Sequence, residues 1–275
     1  MKRLSTILIV IMTALTLNAQ EESKPFLRYP ALSPDGETVC FSCKGDLWLV
    51  SSEGGQATRL TVHPADDIMP QFSPDGRMIL FTSERYDNRD IYIIPVTGGE
   101  PERLTYYTGS DYGTGWTPDG DSVIFYSLRQ FNYDVFKMSI NGGTPVAMTG
   151  GHWDGEYAGK VSPDGKKLIF NNGSGRYRWW KANFAGNTNS DIWMLDRTSE
   201  EFTLDRITSD DGHDLWPVYD QASEVIYFVA NRDSTVANLW KKDLNSGAES
   251  QLTDYSDDGA PVSYTHLTLP TKRIV

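Results

Sequence analysis

Four short markers recur in the same order five times along this chain, and that repetition restricts the fold more than any other feature. The first marker is Ser33-Pro34-Asp35-Gly36. It returns as Ser73-Pro74-Asp75-Gly76, Thr117-Pro118-Asp119-Gly120 and Ser162-Pro163-Asp164-Gly165, with a degenerate fifth copy at Asp220-Gln221-Ala222-Ser223. Eight residues after its first member stands a phenylalanine: Phe41, Phe81, Phe125, Phe170 and Phe228. An acid or amide then leads an apolar-aromatic pair at Asp46-Leu47-Trp48, Asp90-Ile91-Tyr92, Asp134-Val135-Phe136, Asp191-Ile192-Trp193 and Asn238-Leu239-Trp240. Each unit closes on an apolar residue and a threonine, and the closing threonines (61, 105, 149, 208, 253) step by 44, 44, 59 and 45 residues.

Each marker carries a backbone instruction. In Ser-Pro-Asp-Gly, proline presets φ for the second turn position, Asp tolerates the third, and glycine accepts the positive φ that ends the turn. Such a turn joins two antiparallel strands, the second ending near the marker phenylalanine. The apolar-aromatic segments are short runs of β-forming residues. In three units a glycine pair (Gly54-Gly55, Gly98-Gly99, Gly142-Gly143) turns the chain into a fourth strand. Four antiparallel strands in about 40–45 residues is the arithmetic of a β-propeller blade. The expected fold is all-β, with four-stranded blades at about 25–61, 62–105, 106–149, 150–208 and 209–253: five blades of a six-bladed propeller, with 20–261 forming an incomplete domain.

Both ends lie outside the repeat. Lys2 and Arg3 precede an apolar run from Leu4 to Leu17, and Asn18-Ala19-Gln20 offers a small residue for cleavage. Residues 1–19 read as a signal peptide, too short to span a bilayer, which implies export to the periplasm or beyond. After Ala260-Pro261 a sixth unit is due, yet residues 262–275 lack any turn motif. They resemble a translated sequencing-adapter end, so the tail is expected to be non-native and the natural chain to continue.

Composition narrows the partners. The net charge of −12 disfavours nucleic acid and anionic membrane surfaces and leaves peptides or proteins open. Cys40 and Cys43 fall in one strand, three apart, so their side chains face opposite sides and do not pair readily. By repeat alignment Cys40 occupies the core place of Leu80, Ile124 and Ile169. His63, His152 and His213 sit among acids in the connections between units, without chelating spacing, so no metal is expected. No G-x-S-x-G and no phosphate-binding loop is present, and neither a cofactor nor a catalytic residue is expected in this chain. The fourth unit carries an insertion at 171–189 that includes Arg176-Tyr177-Arg178-Trp179-Trp180. It reads either as a binding loop, with Arg176 and Arg178 as candidates, or as a loop that caps the propeller rim or packs on a neighbouring domain absent from this chain.

The repeat resembles the Asp-Gly-containing relatives of WD repeats in periplasmic TolB-type proteins. The opening Leu27-Arg28-Tyr29-Pro30-Ala31-Leu32, the strand Lys44-Gly45-Asp46-Leu47-Trp48 and the long loop before Asp191-Ile192-Trp193-Met194-Leu195-Asp196 resemble the first propeller of bacterial tricorn protease homologues. That resemblance implies a propeller leading a longer serine peptidase, with the catalytic domain outside this chain. It implies that the propeller guides or gates peptides, joins the remainder of its polypeptide, and supports a homo-oligomer. It also implies a basic residue that anchors a substrate carboxylate. Arg129, in the loop between the second and third strands of the third unit, is the candidate; the alternative is a solvated loop arginine. A stand-alone TolB-like binding propeller and the cap of a prolyl-oligopeptidase-like enzyme are the other readings.

Overall fold

The computed structural model describes residues 26–130, 132–150, 155–173, 189–198, 202–210, 212–220, 222–232 and 236–256. The first sheet is β1 (Leu27–Leu32), β2 (Thr38–Cys43), β3 (Asp46–Ser51) and β4 (Thr58–Arg59). The second is β5 (Asp67–Phe72), β6 (Met78–Ser83), β7 (Asp90–Pro95) and β8 (Glu102–Arg103). The third is β9 (Asp111–Trp116), β10 (Ser122–Ser127), β11 (Asp134–Ser139) and β12 (Val146–Ala147). The fourth is β13 (Glu156–Val161), β14 (Lys167–Asn172), β15 (Asp191–Asp196) and β16 (Thr203–Arg206). The fifth is β17 (Asp214–Tyr219), β18 (Val225–Ala230), β19 (Asn238–Asp243) and β20 (Glu249–Gln251). Every sheet is an antiparallel meander in chain order, and the five sheets are the blades of a β-propeller. The first strand of each blade lies innermost, in contact with the first strand of the next.

The turn markers behave as their chemistry requires. In four blades the leading Ser or Thr hydroxyl donates to the turn Asp at 2.5–2.6 Å, and that carboxylate accepts the backbone N–H two residues on. The glycines that end these turns have φ of +71° to +78°, the region a side chain disfavours. In the degenerate copy Asp220 does both jobs, accepting the N–H groups of Glu224 and Val225, while Ser223 takes the positive φ.

Successive blades bury one face against the next. Ala31, Cys40 and Leu47 of the first blade pack on Ile79, Phe81, Tyr92 and Ile94 of the second. The same pattern joins the second to the third, the third to the fourth and the fourth to the fifth. Cys40 is fully buried in this packing, its thiol pushed up by desolvation, and both cysteines are free thiols. The marker phenylalanines are the largest shared element: Phe81, Phe125, Phe170 and Phe228 are at most 1% exposed, Phe41 9%. Among the described residues no core cluster joins the first blade to the fifth. In β18 buried and half-buried residues alternate, whereas in β6 and β10 both faces are buried.

Each innermost strand is bulged opposite its marker phenylalanine. Tyr29-Pro30, Met69-Pro70, Ala158-Gly159 and Trp216-Pro217 each interrupt the register, and Thr114 does so in the third blade. Tyr29, Met69, Ala158 and Trp216 adopt φ of 53–56°, which turns the strand at the axis. Proline is tolerated here because an inner edge strand has no further ladder to donate to.

Candidate functional site

The loops that join second to third strands, and the connections between blades, share one face of the propeller, where the first and third strands begin. Buried acids line it. Asp67, Asp111, Glu156 and Asp214 open the first strands and are 0–1% exposed. In three blades an arginine two residues beyond the second strand reaches back to this acid. Arg85 meets Asp67 at 2.7 Å, Arg232 meets Asp214 at 3.1 Å, and Arg129 pairs with Asp111. Each guanidinium also lies over the marker phenylalanine of its own blade, 5.2–5.6 Å from the ring centroid. Desolvation pushes the Asp214 carboxyl up, against the opposing pull of Arg232.

A second knot ties the third strand to the fourth. The closing threonine hydroxyl accepts the backbone N–H after the marker acid in every blade, at 2.9–3.0 Å for Leu47, Ile91, Val135, Ile192 and Leu239. Arg103 and Arg206 bridge the acid (Asp90 at 2.6 Å, Asp191 at 2.7 Å) and the closing threonine carbonyl. Arg59 does the same with Asp46 and Thr61. Burial raises the Asp191 carboxyl to about 6 despite its partner.

Arg129 is thus the half-buried ion-pair partner of the buried Asp111, stacked on Tyr107 at 4.7 Å, with its side chain 19% exposed. Arg176, Arg178 and His152 lie outside the described residues. His63 and His213 hold backbone: His63 Nδ1 accepts the Ala65 N–H at 3.0 Å, and His213 Nδ1 accepts the Ser190 N–H at 3.1 Å. Burial lowers the His213 pKa, so its ring stays neutral. Among the described residues no three His, Cys, Asp or Glu side chains gather as a metal site.

Two axial features carry no sequence marker. Met69, Ala158 and Trp216, displaced by their bulges, pack with Tyr112, Tyr126, Tyr157 and Leu215, so that blades two to five meet in one cluster. Nearer the Ser-Pro-Asp-Gly end, Lys160 of β13 passes over Gly115, donates to Gln71 Oε1 of β5 at 3.0 Å and to the Thr114 carbonyl of β9. One ammonium group therefore links blades two, three and four. Desolvation lowers its pKa to about 7. The available signal was positional: in the column Ala31, Gln71, Gly115, Lys160, Val218 it is the one charged residue, beside a glycine.

Residues 24–275 match the tricorn protease N-terminal beta propeller domain. The chain belongs to that family. Over 61 residues it is 51% identical to tricorn protease homolog 2 of Streptomyces coelicolor, and over 66 residues 36% identical to tricorn protease homolog 1 of the same organism. These stretches are 22% and 24% of this chain, but only 5% and 6% of those proteins. The crystal structure of the tricorn protease superposes with a TM-score of 0.70 at 21% identity, covering 85% of this chain and 23% of that one. A TolB-type protein of Agrobacterium tumefaciens gives a TM-score of 0.70 at 23% identity, covering 83% and 81%. At such identities the superpositions speak for the fold alone.

Proposed function

We propose that this tricorn-family propeller is the leading segment of an exported serine protease, in which it guides or gates peptides and supports assembly while catalysis resides outside the chain. The observation that carries the reading is the family match across the whole propeller. The site chemistry is compatible with it. Each arginine of the ladder is engaged by a buried carboxylate, as a fixed scaffold face requires. The half-buried residues of β18 fit a further blade seated beside the fifth.

A stand-alone binding propeller is the second reading, favoured by the propeller fold shared with the TolB-type structure. Sequencing the parent gene through and past the codon of Pro261 separates the two. A following peptidase domain supports the protease reading, and a stop after one propeller overturns it. Export is tested apart from this, by N-terminal sequencing of protein from the cell envelope. A mature start at Gln20 is expected, and retention of residues 1–19 refutes cleavage.

A further inference from the structure

At the junction of the second and third blades, two tyrosine rings stand out of the loop face around a fixed arginine. Arg103 is held by Asp90 at 2.6 Å and by the Thr105 carbonyl at 2.8 Å. Its guanidinium carbon lies 4.5 Å from the ring centroids of both Tyr86 and Tyr106. The Tyr106 hydroxyl donates to the Arg103 carbonyl at 3.0 Å, which fixes that ring further. Yet Tyr86 is 61% and Tyr106 71% exposed. The two rings share one arginine and so form a grouped aromatic surface, and grouped rather than scattered exposed apolar surface is what marks interaction sites.

The charge around the rings indicates what they suit. The nearby arginines are engaged: Arg85 with Asp67, Arg89 with Glu84, Arg103 with Asp90 and Arg129 with Asp111. Asp87, next to Tyr86 in the same loop, is exposed and has no hydrogen-bond or ion-pair partner among the described residues. It holds a left-handed φ of 69°, which Asp tolerates better than most residues. The inner faces of both tyrosines already seat a cation, and the outer faces carry the same negative quadrupole toward solvent.

We propose that Tyr86, Tyr106 and Asp87 form a docking shelf for a lysine- or arginine-bearing extended segment of another polypeptide. A basic side chain lies along a tyrosine face with its charge directed to Asp87, and the net charge of −12 favours the encounter. The shelf is independent of whether the parent chain carries a peptidase, so sequencing of the parent gene and a binding titration fail separately.

The test is fluorescence anisotropy with a labelled Gly-Lys repeat hexapeptide, its Gly-Glu counterpart and the full chain at low salt. The lysine peptide is expected to bind more tightly than the glutamate peptide, and to weaken as salt rises. An exposed cation–π contact corresponds to about a threefold change per ring. Tyr86→Ala with Tyr106→Ala should therefore weaken binding about tenfold, and Asp87→Asn about threefold. Tyr86→Phe with Tyr106→Phe keeps the rings and should keep the affinity, which separates the shelf from an unfolded variant. Equal binding of the two peptides, or an unchanged Kd in the double alanine variant, overturns the proposal.

Discussion

Replacing Lys160 with methionine should change how stability depends on pH rather than simply weaken the fold. The ammonium is desolvated at the axis, and its pKa falls from the ordinary 10.5 to about 7. Between those values the folded state binds fewer protons than the unfolded state, so stability rises as pH rises from about 7 toward 10.5. One group contributes at most about 1.4 kcal/mol per pH unit, or about 2–3 kcal/mol between pH 7 and 9. Part of the side chain remains accessible, so this is an upper figure. The window is useful because the other shifted groups act elsewhere. His213, lowered by burial, acts below about 6.5, and Tyr92, raised to about 12, acts only above 10. The raised Cys40 thiol begins to oppose the trend near 9. At pH 7, Lys160→Met removes the desolvation cost but leaves Gln71 Oε1 and the Thr114 carbonyl without this donor, about 1–3 kcal/mol each, so the effects nearly cancel. By pH 9 the variant should be about 2 kcal/mol less stable relative to wild type than it was at pH 7. Urea unfolding followed by tryptophan fluorescence at pH 7, 8 and 9 measures this. Parallel pH profiles for the two proteins would refute a desolvated axial ammonium.

Three further outcomes are expected. Thr105→Val removes the acceptor of the buried Ile91 N–H and a donor to Asp90, which should cost about 1–3 kcal/mol and lower Tm by several degrees in a thermal melt. Gly159→Ala places a Cβ 2.6 Å from Val135 Cγ1, so it should destabilise by about 1–3 kcal/mol; combined with Val135→Ala, a double-mutant cycle should show a favourable coupling. Asp191, raised to about 6, holds its proton in the folded state while the unfolded chain releases it near 3.8, so its contribution to stability is lost as pH rises from about 4 to 6. Asp191→Asn should flatten that decline by about 2 kcal/mol in acid-range denaturation curves.

The architecture was legible because its instructions are local. A Ser-Pro-Asp-Gly turn is specified within four residues, and five turns in step define five blades. Cys40 could be placed in the core by alignment alone, and it is fully buried there. Functional placement was less legible because the relevant partners are far apart in the chain. Arg129 was legible as a loop arginine, but its ion pair with Asp111, 18 residues upstream, was not. Lys160 reaches Gln71 across 89 residues, and no local pattern announces such a contact. The left-handed residues Tyr29, Met69, Ala158 and Trp216 share no side-chain type; the one mark of the bulge in the spelling of the strands is the proline that follows three of them, Pro30, Pro70 and Pro217.

The knot between third and fourth strands shows why the closing threonine recurs while its neighbours vary. Blades one, two and four place an arginine beside an aspartate: Arg59 with Asp46, Arg103 with Asp90, Arg206 with Asp191. Blade five replaces both, with Asn238 and Gln251. The geometry survives: Gln251 Nε2 donates to the Thr253 carbonyl at 2.6 Å, and the Thr253 hydroxyl donates to Asn238 Oδ1 at 3.0 Å. In blade three Ala147 stands at the arginine position, and the Val135 N–H still finds the Thr149 hydroxyl at 2.9 Å. What every blade keeps is the satisfied backbone N–H, whose loss in a buried turn costs about 1–3 kcal/mol. The charged pair can be removed together because an ion pair whose arginine is partly open to solvent contributes little net stability. The threonine is therefore the structural requirement of the blade, and the arginine–aspartate pair is an addition that individual blades can exchange for neutral hydrogen bonds.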